Sequence, residues 1–363
     1  MLDDVELTGK TQTDSTSGSR TGVVGLQILG AVSVMAAFVG FLLQASWTVY
    51  PLSVFVMSAA YGWYSYQKET ARSLAFLTTV FTVLVLGLIT VYLFLESIPV
   101  FRSMGIEIFI PFGKDITSPI AMWNPNKDYY SLAPMMWGTL ITTLIAMAIA
   151  GPLGVAGALF IGEIAPRRVR EVVKPGVEIL AGIPSIVYGF IGYVIINEYM
   201  MQVFALPTFG SLFVVGVVIG IMALPTVVSV AEDAIDSIPE STKSGSLALG
   251  VTDWETMKSI TIPAAVSGIS AAVLLGVGRA IGETMAATVI LGHSQVFPEP
   301  VYNIFGNTET LTSLIASQYG NAHGTHMKAL FSAGVVLFVT VLVISVVSQM
   351  IEARMKQKFQ GLQ

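Results

Sequence analysis

Residues 232–265 read EDAIDSIPESTKSGSLALGVTDWETMKSITIPAA and stand between two long apolar runs, 211–230 and 263–291. The stretch is too polar to cross a bilayer and too regularly patterned for a slack linker. Leu247, Leu249, Val251 and Trp254 alternate with polar residues, and Gly250 interrupts what would otherwise be one helix. That pattern predicts two short amphipathic helices bent at a glycine and lying at a membrane surface. Pro263 is then predicted at the first turn of the following span, where a missing N–H costs nothing.

Outward from this loop the chain is apolar nearly everywhere. It is 54% hydrophobic and 11% charged over 363 residues, with a mean hydropathy of +0.75. Soluble domains carry roughly 25% charge, so the composition defines an all-α polytopic membrane protein. A spanning helix needs about 20 mostly apolar residues. Runs of that kind fall at 22–43, 47–66, 73–95, 134–161, 176–200, 211–230, 263–291 and 329–350. Residues 1–21, rich in Ser, Thr and Gly, read as a disordered tail and lack the features of a cleaved signal peptide. Residues 352–363 form a second tail.

Charge placement orients the spans. Lys68 and Arg72, then Arg167, Arg168, Arg170 and Lys174, then Lys243 and Lys258, then Arg354, Lys356 and Lys358 all fall on one side. The positive-inside rule makes that side cytoplasmic, with both termini inside a multi-pass plasma-membrane protein. There is no cysteine, which excludes disulfides and thiolate metal sites. His323 and His326 have a two-ligand spacing, but no cysteine or carboxylate cluster accompanies them, so no metal site is expected. The chain contains no phosphate-binding G-x-x-x-x-G-K-[ST] loop and no H-E-x-x-H motif, so it is read as neither an ATPase nor another enzyme, with no cofactor.

The spacing of the opening loop resembles that of ATP-binding-cassette importer permeases, which carry Glu-Ala-Ala, three residues, Gly, nine residues and Ile-x-Leu-Pro. Gly250, Ile260 and Pro263 match, while Ser244, Gly245 and Ser246 stand at the Glu-Ala-Ala positions, so the acidic residue is missing. VEILAGIPSIVYGFIGY from Val177, NPNKDYYSLAPMMWGTLITTLIAMAIAGPLGVAGALFIGEIAP from Asn124 and GRAIGETMAAT from Gly278 narrow the resemblance to phosphate importer permeases of the PstC type. The resemblance implies a six-helix permease core over 73–351, with an extra N-terminal transmembrane hairpin at 22–66. It implies a coupling loop near 233–262 that seats on a separate ATPase dimer. It further implies a second, PstA-like permease as heterodimer partner and an extracytoplasmic phosphate-binding protein, with membrane lipid around the spans and no nucleic-acid partner.

One pair of charges stands inside an apolar run. In GVGRAIGETM, residues 276–285, Arg279 and Glu283 are four apart, a spacing that puts both on one helix face within reach of each other. Charges in a bilayer are costly and tend to be functional. They read either as a buried ion pair locking helices or as the lining of a translocation path. An arginine fork matches the oxygens of an oxyanion, and the glutamate would pair with it when the anion is absent. The resemblance points to the same two residues. Pro184 interrupts its helix, which makes Ser185 and Tyr188 further candidates for the lining. Molybdate or sulfate permeases share the loop and are the nearest alternative. A secondary transporter or channel, with Arg279 and Glu283 as an ion relay, would leave the glycine-bent loop unexplained.

Overall fold

The computed structural model describes the backbone of residues 15–204, 209–248 and 250–360. Most of the first tail, Leu249 and the last three residues therefore lie outside the described residues. The chain divides into two compact units, residues 1–92 and 93–363, with the boundary inside the helix Gln67–Met104. Among the described residues, seven helices are long and apolar enough to cross a membrane.

In the first unit, α1 (Ser15–Leu42) and α2 (Val49–Ser65) form a hairpin, followed by the first part of α3 (Gln67–Met104). Helix α1 begins seven residues before the apolar run at Gly22. At 17 residues, α2 is about 26 Å long and is the shorter arm. Gly62 lets the three helices meet. A Cβ there would lie 2.6 Å from Thr70 Oγ1 and 2.9 Å from a Leu26 methyl.

The second unit is built around three helices, which follow the rest of α3. Between α3 and the first of them lie α4 (Pro119–Met122) and a two-residue hairpin, β1 (Trp123–Asn124) paired antiparallel with β2 (Tyr129–Tyr130). Trp123, Tyr130 and His326 pack ring to ring there, and His326 Nε2 lies 2.7 Å from Gln318 Oε1. His326 thus serves packing at this end. The three central helices are α5 (Ala133–Leu159), α9 (Leu212–Asp236) and α12 (Ile262–Gly282). Helix α9 is buried along most of its length, because small residues let its neighbours approach closely. A Cβ on Gly216 would sit 2.6 Å from Ile145, one on Gly154 2.7 Å from Val227, and one on Gly276 2.6 Å from Val227.

The expected span 176–200 is interrupted. It comprises α6 (Arg167–Gly182), α7 (Ser185–Ile191), a π-helical segment Gly192–Asn197, and α8 (Glu198–Phe204). After α9 come α10 (Glu240–Ala248) and α11 (Asp253–Thr256). A π-helical segment, Met257–Thr261, then leads into α12. The expected span 263–291 is also interrupted, after Gly282, and resumes as α13 (Met285–Ile290). Helices α14 (Leu311–Gln318) and α15 (Thr325–Gln360) follow.

Pro263 falls in the first turn of α12, as expected, with one correction to where the helical run begins. The helix does not start there but runs continuously over Asp253–Gly282. Ile262 N–H bonds Met257 O, five residues back, so the helix widens just before the proline. That widening makes room for the ring and absorbs the missing donor.

Candidate translocation path and docking loop

Two helices break side by side near the middle of the second unit. Helix α6 ends at Gly182, and Ile183 (φ −69°, ψ 127°) and Pro184 (φ −58°, ψ 137°) are extended before α7 begins. Proline has no N–H to give the carbonyl four residues back. That carbonyl, Leu180 O, instead accepts the Ile183 N–H at 3.4 Å and the Tyr188 hydroxyl at 3.0 Å. Helix α12 ends at Gly282, and Glu283 (φ −67°, ψ 121°) takes nearly the same backbone turn as Ile183. Helices α7 and α13 then pack closely, because a Cβ on Gly189 would lie 2.9 Å from Ala286 Cα, and one on Gly192 2.6 Å from Ile290.

Arg279 is exposed in the last turn of α12, and among the described residues it has no hydrogen bond or ion pair. Gly278 and Gly282 beside it face open space, while its charge acts on Tyr188. Its depth follows from packing. Gly276 abuts Val227, which is about 22 Å along α9 from Leu212 at 1.5 Å per residue. Arg279, nearly one turn further on, is therefore about 18 Å from that end, close to the midpoint of the span.

Glu283 is half-buried and does not pair with Arg279, contrary to the helical spacing. Its carboxylate turns the other way and accepts the Ala286 N–H at 3.1 Å, capping the start of α13. Its main-chain carbonyl accepts the Thr312 hydroxyl at 2.8 Å. The break removes the i, i+4 geometry, and the orphan N–H groups of α13 offer the carboxylate new donors. Ser185 is the first residue of α7, partly buried and three residues before Tyr188 on the same helix. The structure thus groups Arg279, Tyr188 and Ser185 at the paired breaks and turns the Glu283 carboxylate toward α13.

The loop of residues 237–252 takes the bent form its pattern predicts. Gly250 has φ +82°, a left-handed conformation that glycine adopts without strain, and it faces open space. Thr252 and Glu255 form a reciprocal capping box that restarts the helix. Ser244 and Gly245 lie exposed on α10, and the Ser244 hydroxyl is turned back onto Glu240 O at 2.9 Å. Ser246 is on the same helix, its side chain outside the described residues. Ile260 lies in the π-helical segment. Trp254 projects with 64% of its surface exposed. Two contacts that the sequence did not reveal brace the loop's base. Lys174 of α6 meets the buried Glu232 of α9 at 2.8 Å, and Arg170 donates to Gly162 O.

A second unforeseen cluster lies at the opposite end. Glu309 is fully buried, and Oε1 meets His293 Nδ1 at 2.9 Å and accepts the Ser317 hydroxyl at 2.9 Å. Its Oε2 accepts Gln295 Nε2 at 3.3 Å. Gly138 has no Cβ to obstruct the Glu309 carbonyl. Local pattern carries no signal for Glu309, since its partners come from separate segments.

Together, the bundle, its interrupted helices and the glycine-bent loop define a membrane-spanning transport subunit. Residues 152–357 match the family of binding-protein-dependent transport system inner membrane components, and the chain belongs to that family. It is 38% identical over 244 residues to the probable ABC transporter permease protein YqgH of Bacillus subtilis, covering 65% of this chain and 77% of that one. It is 33% identical over 255 residues to the phosphate transport system permease protein PstC of Pasteurella multocida, covering 65% and 79%. With the probable PstC of Methanocaldococcus jannaschii it shares 32% identity over 297 residues, 75% of this chain and 88% of that one. The fold is that of the inward-facing MetNI methionine ABC transporter, with a TM-score of 0.50 at 18% identity, covering 62% and 95%. A bacterial alginate ABC transporter gives 0.50 at 16% identity, covering 80% and 98%. As a member of this family the chain is a multi-pass permease subunit of the plasma membrane. It performs no bond chemistry itself and works with a separate ATPase and a substrate-binding protein.

Proposed function

We propose that this chain forms half of the path through which an ATP-driven importer moves inorganic phosphate. The observation that carries the reading is Arg279, an exposed guanidinium near mid-span, beside two broken helices and without a counter-charge among the described residues. The relatives named as phosphate permeases support the same cargo. An oxyanion entering a narrow path loses hydration, and one planar cation offsets part of that loss through paired hydrogen bonds. A single site of this kind holds the anion without trapping it. Ser185 lies at the same place, and Tyr188 frames it by holding Leu180 O.

A PstA-like permease supplies the other half of the path, and an extracytoplasmic phosphate-binding protein delivers cargo to the end that holds Glu309. The loop around Gly250 faces the cytoplasm, as do both termini, and it seats on the ATPase dimer through Ser244, Gly245, Ser246 and Trp254. Closure of the ATPases pushes on this loop. The continuous helix Asp253–Gly282 then carries the movement over about 39 Å, from the loop to Arg279. Hydrolysis resets it. The test is uptake of labelled phosphate by the assembled importer carrying R279A. Uptake should be lost while the ATPase still co-purifies, and uptake at the wild-type rate overturns the reading. Competition by unlabelled molybdate and sulfate fixes the cargo, because strong competition by either would reassign it.

A further inference from the structure

The sequence and the structure disagree about Glu283, and the disagreement has a physical cause. Four residues after Arg279, Glu283 has the spacing of a helical ion pair. Only the break after Gly282 keeps the two apart. Pro184 biases the neighbouring break by withholding an N–H, but no proline stands at Gly282–Met285. Something else must hold this one open.

Thr312 bonds the broken backbone directly. Glu283 O has no proton, so the Thr312 hydroxyl must donate to it at 2.8 Å. The Thr310 hydroxyl, 3.0 Å from Thr312 Oγ1, must then donate to Thr312. Thr310 in turn accepts Ser313 N–H at 3.1 Å in a capping box, and Leu311 N–H is held by Thr139 of α5 at 2.9 Å. One residue before Thr310, Glu309 is fixed through His293, Gln295 and Ser317, and its N–H donates to Ser294 O at 2.8 Å. A buried carboxylate is costly unless fully bonded, so this turn has a strongly specified position.

We propose that Thr312, set in place by buried Glu309, is a positioning residue that holds Glu283 on α13 and off Arg279. The held state leaves Arg279 free for the anion. When the clamp lets go, α12 continues by a turn and Glu283 swings onto the Arg279 face, closing the anion site with an internal carboxylate. The proposal rests on the reading of Arg279 as the anion contact.

The test is a double-mutant cycle in the complete importer, with co-purification of the ATPase as the control for assembly. T312V preserves shape and removes the hydroxyl, and phosphate uptake should fall roughly tenfold. T312S keeps the donor and should restore most of it. In an E283Q background, where no carboxylate can close on Arg279 but an amide oxygen can still cap α13, T312V should cost less than about twofold. An equal loss in both backgrounds, or no loss from T312V, overturns the proposal. If T312V does not assemble, E309Q loosens the same turn, and additivity in that cycle overturns the proposal equally. Normal uptake by R279A would instead remove the underlying reading of the path, so the two failures are distinct.

Discussion

At Ile183 and at Glu283 the backbone makes nearly the same turn, each just after a glycine that ends a helix. The causes differ. At Ile183 the break is written into the chain, because Pro184 has no N–H for Leu180 O, which accepts the Ile183 N–H and the Tyr188 hydroxyl instead. At Glu283 it is held by side chains, with Thr312 on the carbonyl and the glutamate itself on the next helix. The first break is written into the chain and is read as fixed, whereas the second is held by hydrogen bonds alone and, on the proposal above, is reversible. At the matching position four residues before each break, the reversible side carries Arg279 and the other side Ile179. A fixed edge facing a movable charged edge is a workable gate.

The largest expected effect tests that asymmetry of charge. R279A should lower phosphate uptake by on the order of a hundredfold, the scale of losing a preorganised ionic contact of about 2.7 kcal/mol or more. I179A, at the matching position, should change uptake less than about threefold. Comparable losses from the two would remove the distinction between the edges. Next comes the packing that keeps the breaks adjacent. G189L places a side chain against Ala286 and Val289, where even a Cβ is too close. Overpacking of this kind costs about 1–3 kcal/mol. It should lower the thermal midpoint of the purified complex, and an unchanged midpoint would show that α7 and α13 are not in firm contact.

The difference between a fixed and a reversible break is sharper still at the two glycines. Gly182 and Gly282 both face open space, so alanine at either site brings no clash. It does add about 1 kcal/mol of helix propensity. At Gly282 this should favour continuation of α12 toward the closed pairing and reduce uptake about fivefold. At Gly182 the proline still withholds the N–H that continuation would use, and uptake should stay within about twofold. Equal responses at the two glycines would contradict the assignment of one break as reversible.

Sequence pattern conveyed the parts of this molecule that depend on neighbours along the chain. The apolar runs, the bend at Gly250, the interruption at Pro184 and the singularity of Arg279 are all local signals. The break at Glu283 was not legible, because its holding residue, Thr312, is 29 positions away. Local spacing alone favours the ion pair that the tertiary structure prevents. The Lys174–Glu232 contact, 58 positions apart, and the Glu309 cluster were hidden for the same reason. Conflict between local preference and final structure concentrates at functional sites, and here it falls beside Arg279.

The smallest expected effect concerns how the fixed break satisfies its own backbone. Y188F removes the donor to Leu180 O, and a net hydrogen bond of this kind contributes about 1 kcal/mol. Uptake should fall about two- to threefold, through a looser edge rather than a lost charge. P184A supplies an N–H at the position that proline leaves empty. Once that N–H can bond Leu180 O, the Tyr188 hydroxyl becomes redundant, and Y188F should have little further effect in that background. If Y188F is as harmful with P184A as without it, then Tyr188 acts on the passing anion and not on the broken backbone. That outcome would move Tyr188 from the frame of the path to its lining and make the two edges less unlike than their backbones suggest.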